Sequence, residues 1–277
     1  MPFSPAESVV RRFRQLEYYD AETGLSLQYN LFVPDNAPER LPLVLFMGDA
    51  STVGPDATIP LRQCLGARVW TEPELQAAHP CIVLVPQFPN VVVNDAWETA
   101  PEVPVVLKLL DEVARQTHAD RNHLFTTGQS MGGMLSLYFN AIRPNLFAAS
   151  LFVACQWNPE VLAPLVRKRF CYIVAAGDCK ASQGMEQIRQ RLMRPDAGGC
   201  DHMLCTFSAR NPLDWQENHL RKTLFHRLSS RRIFLTFEKG SVLPPDGNGH
   251  EHMCSFDCAY RLRPLCEWLV APPVRRR

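Results

Sequence analysis

The chain has 277 residues, of which 46% are hydrophobic and 21% charged, and its formal net charge is +1. This composition is typical of a globular protein with enough apolar material for a sizeable core. A net charge so close to zero argues against nucleic acid or a membrane surface as the partner.

The N-terminus, the apolar runs and the cysteines of the sequence indicate the compartment in which the protein is expected. The N-terminus shows no basic leader followed by an apolar run, so a secretory signal is not predicted. The sequence also contains no run of about 18 apolar residues, so a membrane span is not predicted. The ten cysteines are scattered without a CxxC pair, which favours reduced, mostly buried thiols over a disulfide framework. We therefore expect a cytoplasmic protein.

The N-terminal part of the chain predicts a hairpin followed by two buried strands. Residues 16–19 and 26–33 alternate in polarity around a turn, which is typical of an antiparallel hairpin. Continuous apolar runs at 41–47 and 81–86 predict strands of a parallel sheet, each ending in a polar loop. One short helix is predicted between them, at 59–64.

From residue 103 onward, helical and strand patterns alternate. Helices are predicted at 103–116, 131–142, 159–169, 185–193, 214–228 and 255–270. Strands are predicted at 124–128, 148–154, 170–176 and 232–237. Residues 194–213 show no regular pattern and predict an irregular excursion over the sheet. The alternation predicts an α/β fold with a mostly parallel central sheet and helices on both faces, formed by one domain spanning 1–277.

A serine between glycines stands where a predicted strand meets a predicted helix, in Gly128-Gln129-Ser130-Met131-Gly132. This is the G-x-S-x-G nucleophile elbow in the context that it requires. The glycines allow strand and helix to approach closely while Ser130 takes a strained backbone conformation. Because a serine hydroxyl needs a base to become a nucleophile, an acid and a histidine are expected later in the chain, in that order.

Asp178 is the predicted acid. It directly follows the strand at 170–176, at the edge where open α/β sheets place their sites. Its alternative role is that of a helix N-cap or a surface turn residue. Three other aspartates compete for the catalytic role: Asp201, Asp214 and Asp246.

The base is expected from the loop before the last helix, where His250 and His252 compete. We prefer His252, because it lies nearer the closing helix that would fix its position. The same segment could be taken for a metal site that also uses Cys254, Asp257 and Cys258. Its spacing matches no common zinc pattern, so we predict no metal.

An acyl-transfer site also needs backbone donors for the oxyanion. The N–H of Met131 is one expected donor, and the loop after the strand at 41–47 should supply the other from Asp49 or Ala50. We expect the Asp49 carboxylate to point away from the oxyanion. Three residues that follow strand ends on the same rim are candidates for substrate contact, with packing as the alternative: Gln87, Gln129 and Trp157.

Several segments together carry a family resemblance: the strand at 41–48, Val85-Pro86-Gln87, the elbow at 128–133, and the tail at 252–260 with 267–269. The chain resembles serine esterases of the α/β-hydrolase superfamily, specifically the bacterial predicted-peptidase and polyhydroxybutyrate-depolymerase-like esterase branch. It departs from the family at Met47-Gly48, where the family usually has His-Gly, which affects loop geometry and substrate fit.

The resemblance implies an α/β-hydrolase fold, a Ser130, Asp178 and His252 triad, and no cofactor. It also implies hydrolysis of a small-molecule carboxylic ester through an acyl-enzyme. Cleavage of a short peptide or amide is the alternative with the same machinery. A non-catalytic binding protein of this fold is an alternative from a different class.

Overall fold

Nine strands form one sheet within residues 5–35, 40–194, 202–226 and 232–271, which are the residues described by this computed structural model. In chain order they are β1 (Arg14–Asp20), β2 (Leu25–Phe32), β3 (Leu43–Met47), β4 (Ile82–Pro86), β5 (Leu124–Gln129), β6 (Ala149–Val153), β7 (Phe170–Ala175), β8 (Met203–Phe207) and β9 (Arg232–Phe237). Their spatial order is β1-β2-β4-β3-β5-β6-β7-β9-β8.

The first helix precedes β1, the last two follow β9, and the others lie in the connections between strands. The helices are α1 (Pro5–Val10), α2 (Ile59–Gln63), α3 (Leu65–Arg68), α4 (Pro73–Ala78), α5 (Glu102–Gln116), α6 (Met131–Ile142), α7 (Cys179–Met193), α8 (Leu213–His226), α9 (Glu251–Tyr260) and α10 (Arg263–Val270). Short 3₁₀ helices cover Ala50–Thr52, Val69–Thr71 and Pro159–Arg167.

The sheet is mostly parallel, as predicted. β1 and β2 form the antiparallel hairpin, and β2 also runs antiparallel to β4. All the other neighbouring pairs are parallel. Strands such as β3 and β4 are buried at every position, which explains why their sequences are continuous apolar runs rather than alternating ones.

Both faces of the sheet are covered by helices. Leu43 and Leu45 of β3 point to one face, where they belong to a core that includes residues of α5, α6 and α7. Val44 and Phe46 point to the other face, into a core that includes residues of α3, α9 and α10. The two-sided α/β architecture is therefore confirmed.

The prediction of an irregular excursion at 194–213 was wrong for Met203–Phe207, which form the strand β8. Residues 195–201 lie outside the described part of the chain. β8 is an edge strand paired only with β9 among the described strands, and alternate residues face solvent. Leu204 is on that outer face with 60% of its surface exposed. Because Leu204 is apolar, the sequence hides the alternation that would have indicated a strand.

Three predicted helices differ in the structure. The closing helix is two helices, α9 and α10, because Pro264 cannot continue α9 and instead stands in the first turn of α10. α7 begins at Cys179, six residues earlier than predicted, because Asp178 caps it. The segment Pro159–Arg167 is a 3₁₀ helix that contains Pro164.

No helix among the described residues is both long enough and apolar enough to cross a membrane.

Candidate active site

Ser130 connects β5 to α6 with a backbone conformation that is rare for residues other than glycine. Its φ is 50° and its ψ is −116°. Such a conformation costs on the order of 1–3 kcal/mol and persists only where the surroundings enforce it. Here the Ser130 N–H donates to the Val153 carbonyl oxygen on β6 at 3.0 Å, and its carbonyl accepts from the Met134 N–H at 2.9 Å. The turn is thereby tied to a neighbouring strand and to its own helix.

The glycines of the elbow are required by close backbone packing. A Cβ on Gly132 would lie 1.9 Å from the Met47 carbonyl oxygen, and a Cβ on Gly128 would lie 2.4 Å from the Gly132 carbonyl carbon. No side chain fits either place. The ends of β3 and β5 and the start of α6 consequently approach one another backbone to backbone, in the strand–turn–helix geometry that the motif predicted.

The structure brings Ser130, His252 and Asp178 together in one hydrogen-bonded row. The His252 Nε2 lies 2.9 Å from the Ser130 Oγ. The His252 Nδ1 lies 2.6 Å from the Asp178 Oδ2. The imidazole therefore contacts the serine with one nitrogen and the carboxylate with the other, which is the arrangement that activates a serine nucleophile.

His252, rather than His250, occupies this position. It lies in the first turn of α9 and not in the loop that precedes it, and its ring packs edge-on against Phe256 at 5.1 Å. The Ser255 hydroxyl donates to the His252 carbonyl oxygen at 2.7 Å. His250 is exposed and precedes the helix. The His252 side chain keeps 36% of its surface exposed, so a substrate can approach it from solvent.

Asp178 makes the contacts expected for both of the roles considered for it. Its Oδ1 accepts from the Ala181 N–H at 3.1 Å and caps α7, while its Oδ2 accepts from His252. Burial raises the pKa of this carboxyl, whereas the hydrogen bonds from His252 and Ala181 lower it. The lowering is the larger effect, so the net pKa is below its ordinary value. Asp178 is therefore ionised at neutral pH and is only 8% exposed.

The rival acids have other surroundings. Asp214 lies in the first turn of α8. The Asp246 carboxylate accepts from the backbone and side chain of Asn248. Asp201 lies outside the described residues.

The loop after β3 carries a buried carboxylate directed into the protein. The Asp49 Oδ1 accepts from the Ser51 N–H at 2.9 Å and caps the short 3₁₀ helix that begins at Ala50. Its Oδ2 accepts from the Gln129 side-chain amide at 2.7 Å. Both oxygens are thus used internally, in agreement with the expectation that this side chain points away from the oxyanion. Met131 begins α6, where the first N–H groups have no partner within the helix.

The two glutamines predicted to contact substrate are structural instead. The Gln87 amide is buried and donates to the carbonyl oxygens of Thr52 and Gly54, both at 2.9 Å. It joins the loop after β4 to the loop after β3. Gln129 is buried beside Asp49. Because these interior contacts use the side-chain donors, the expectation of substrate contact is corrected for both residues.

Trp157 packs in an aromatic cluster, which is the alternative considered for it. Its ring lies 5.5 Å from that of Trp97 and 5.3 Å from that of Tyr138, and only 3% of its surface is exposed. It therefore offers little surface to a substrate in this conformation.

The sequence did not point to Glu251, which lies directly before His252. Its carboxylate accepts from the Gly177 N–H at 3.0 Å and from the Gly240 N–H at 2.8 Å. The available signal was an acidic residue in the first turn of a helix, adjacent to the predicted base.

Most of the cysteines in the described part of the chain are buried thiols. The nine in the described residues are free, and six of them are buried. Burial raises the pKa of Cys81 to about 12 and that of Cys205 to about 11. Such thiols stay protonated at neutral pH and are poor nucleophiles.

Solved structures share the fold at low sequence identity. A thermostable esterase is similar to this chain with a TM-score of 0.74 and 22% identity, over 95% of this chain and 63% of that one. A mutant of the feruloyl esterase module from Clostridium thermocellum has a TM-score of 0.60 and 11% identity, over 92% and 87%. A putative dipeptidyl aminopeptidase IV from Bacteroides ovatus has a TM-score of 0.56 and 13% identity, over 93% and 35%.

These similarities establish the fold. The chain has the α/β-hydrolase fold. It spans less than two thirds of the thermostable esterase's length. No protein-family model matches the sequence, and no curated protein matches it either.

Proposed function

We propose that the protein is a serine carboxylesterase that acts through an acyl-enzyme. The observation that carries this proposal is the row of hydrogen bonds from the Ser130 Oγ through His252 to Asp178, at 2.9 and 2.6 Å. Several structures with this fold are esterases, including a thermostable esterase and feruloyl esterases, which favours an ester as the substrate.

The proposed reaction begins with the attack of the Ser130 Oγ on the ester carbonyl carbon. His252 Nε2 accepts the serine proton as the new C–O bond forms, and the carbonyl becomes an oxyanion. The tetrahedral intermediate then expels the alcohol, which takes the proton from His252. Water attacks the acyl-enzyme with His252 again as the base, releasing the carboxylic acid and restoring Ser130.

Asp178 and the backbone supply the electrostatics of this reaction. The Asp178 carboxylate holds a proton on His252 Nδ1, leaving Nε2 free to accept one from Ser130, and it stabilises the imidazolium that forms. The N–H of Met131 and an N–H of Asp49 or Ala50 are the proposed oxyanion donors. Loss of one such donor typically lowers the rate by about two to three orders of magnitude.

The test is hydrolysis of a short-chain aryl ester together with labelling by an organophosphonate. We expect the wild-type protein to turn over the ester and to lose activity when the phosphonate attaches to Ser130. S130A should abolish both turnover and labelling. Ser26→Ala is the matched control, because Ser26 is an exposed serine on β2. Wild-type turnover by S130A would refute the proposal, and inactivity of the wild-type protein on a panel of esters and amides would favour a non-catalytic binding protein.

Cleavage of an amide or a short peptide is the second candidate, because the same three side chains can perform it. One structure of this fold is a putative dipeptidyl aminopeptidase IV. Matched ester and anilide substrates with the same acyl group separate the two activities. Faster cleavage of the anilide than of the ester would favour the peptidase.

We also propose that the protein is cytoplasmic and forms a single domain. The nine free cysteines of the described residues suit a reducing compartment. The participation of strands from 14–20 to 232–237 in one sheet supports a single domain.

A further inference from the structure

Glu251 joins three segments of the chain that meet beside the candidate triad. It is the first residue of α9 and is followed directly by His252. Its Oε2 accepts from the N–H of Gly177, which precedes Asp178. Its Oε1 accepts from the N–H of Gly240, in the turn after β9. A single carboxylate thus contacts the turn that carries the acid while belonging to the helix that carries the base.

The turn at Gly177 is shaped to receive this side chain. A Cβ at position 177 would lie 1.8 Å from the Glu251 Oε1, and its three nearest atoms would all belong to the Glu251 carboxylate. The space that a side chain would fill at this position is therefore occupied by Glu251. At Gly240, by contrast, a Cβ would meet nothing within 4 Å, and glycine suits that turn because its φ is +75°.

A carboxylate can accept both bonds, whereas a side-chain amide cannot. The N–H groups of Gly177 and Gly240 each need an acceptor, and each of the two carboxylate oxygens provides one. A glutamine would present its NH₂ group to one of the two N–H groups, so one bond would be lost. Hydrogen bonds from backbone N–H groups to a carboxylate are also shorter and stronger than those between neutral partners.

We propose that Glu251 is a positioning residue that holds the Gly177–Asp178 turn against α9 and thereby fixes Asp178 relative to His252. This proposal rests on the proposed function, because it assigns Glu251 a role in the same triad. The Glu251 carboxylate is bonded to the N–H groups of Gly177 and Gly240 and is not hydrogen-bonded to the Ser130 Oγ. Its effect passes through the 2.6 Å contact between Asp178 and His252.

The first test compares E251A and E251Q with the wild-type protein on a short-chain aryl ester. We expect kcat to fall about 10- to 100-fold in E251A, the range that small misplacements of catalytic groups produce. E251Q should fall less, and KM should change little in both. Asp246→Ala is the matched control and should keep the wild-type kcat, because it removes an acidic residue from the exposed loop just before α9.

The second test uses the space at Gly177. G177A should lower kcat because its methyl group displaces the Glu251 carboxylate. In the E251A background that clash is absent, so the double variant should be no slower than E251A alone. If the losses of kcat in G177A and E251A added up in the double variant, the two substitutions would act independently, which would contradict an effect of G177A through Glu251.

A spectroscopic measurement separates positioning from simple loss of stability. The proton between His252 Nδ1 and Asp178 should give a downfield NMR signal in the wild-type protein, and we expect it to broaden or disappear in E251A and E251Q. A wild-type kcat in folded E251A and E251Q would overturn the proposal. So would variants that unfold more easily but keep both the wild-type NMR signal and the wild-type kcat. If E251A does not fold, E251Q decides alone by the same criteria.

The controls also distinguish this proposal from the proposed function. If S130A and Asp178→Ala are inactive while E251A and E251Q are fully active, only the role of Glu251 fails. If S130A is as active as the wild-type protein, the proposed function fails first.

Discussion

The proposed catalytic role of Asp178 can be separated from its helix-capping role by two substitutions. D178N keeps an oxygen that can accept from the Ala181 N–H, and asparagine caps helices about as well as aspartate. It removes the charge beside His252 and can place an NH₂ group against Nδ1. D178A removes the helix cap and the histidine partner together.

Activity and stability should respond differently to this pair. In serine hydrolases, changing the triad acid to its amide lowers kcat by about 10⁴, and we expect a loss of that order in both variants. Loss of the cap costs about 1 kcal/mol of stability, so D178A should be measurably less stable than D178N. Urea unfolding and ester turnover of the same preparations measure the two effects. Wild-type turnover by D178N would refute the acid assignment, and equal stability of D178A and D178N would refute the capping role.

The pH dependence of stability gives a further check on Asp178. Because the folded-state pKa of this carboxyl is lowered, the unfolded state binds its proton more tightly. The stabilisation is therefore complete above the unfolded pKa, near 4, and is lost as the pH falls through the folded pKa. D178N should lose this part of the acid sensitivity. An unchanged difference in unfolding free energy between pH 6 and pH 3 would contradict the lowered pKa.

Two further predictions concern the base and the elbow. H252A should lose turnover while H250A keeps it, because only His252 contacts Ser130; full activity of H252A on the aryl ester would exclude it as the base. G132A should fail to fold or should lose activity, because its methyl group would lie 1.9 Å from the Met47 carbonyl oxygen. Gly240→Ala is the control, because a Cβ there meets no atom within 4 Å. Its loss of folding stability should be limited to the backbone strain of an alanine at a φ of +75°, about 1–2 kcal/mol. A folded G132A with wild-type turnover would contradict the close-packing explanation.

The sequence predicted the elements whose causes are local. The glycines around Ser130 are needed for backbone contact, and the apolar run before Asp178 is needed for a buried strand. Both constraints leave a pattern within ten residues. The order of serine, acid and histidine then follows from the α/β topology, which brings the ends of parallel strands to one edge.

The directions of the Gln87 and Glu251 side chains at that edge were not predictable. Gln87 follows a strand end, but its amide is held by Thr52 and Gly54, more than thirty positions earlier in the chain. Glu251 meets Gly177 across 74 positions. Such contacts depend on how loops pack against one another, and no periodic pattern records them. Local sequence places a residue on the rim, and tertiary packing decides whether it faces substrate or interior.

The candidate triad lies where three helices begin. Ser130 immediately precedes α6, Asp178 caps α7, and His252 lies in the first turn of α9. Each helix start carries about half a positive charge from its aligned peptide dipoles. This potential favours the Asp178 carboxylate and would favour a developing oxyanion beside Ser130. In the proposed reaction the Asp178 carboxylate, 2.6 Å from the His252 Nδ1, stabilises the imidazolium that forms, which explains why loss of its charge should cost far more activity than stability.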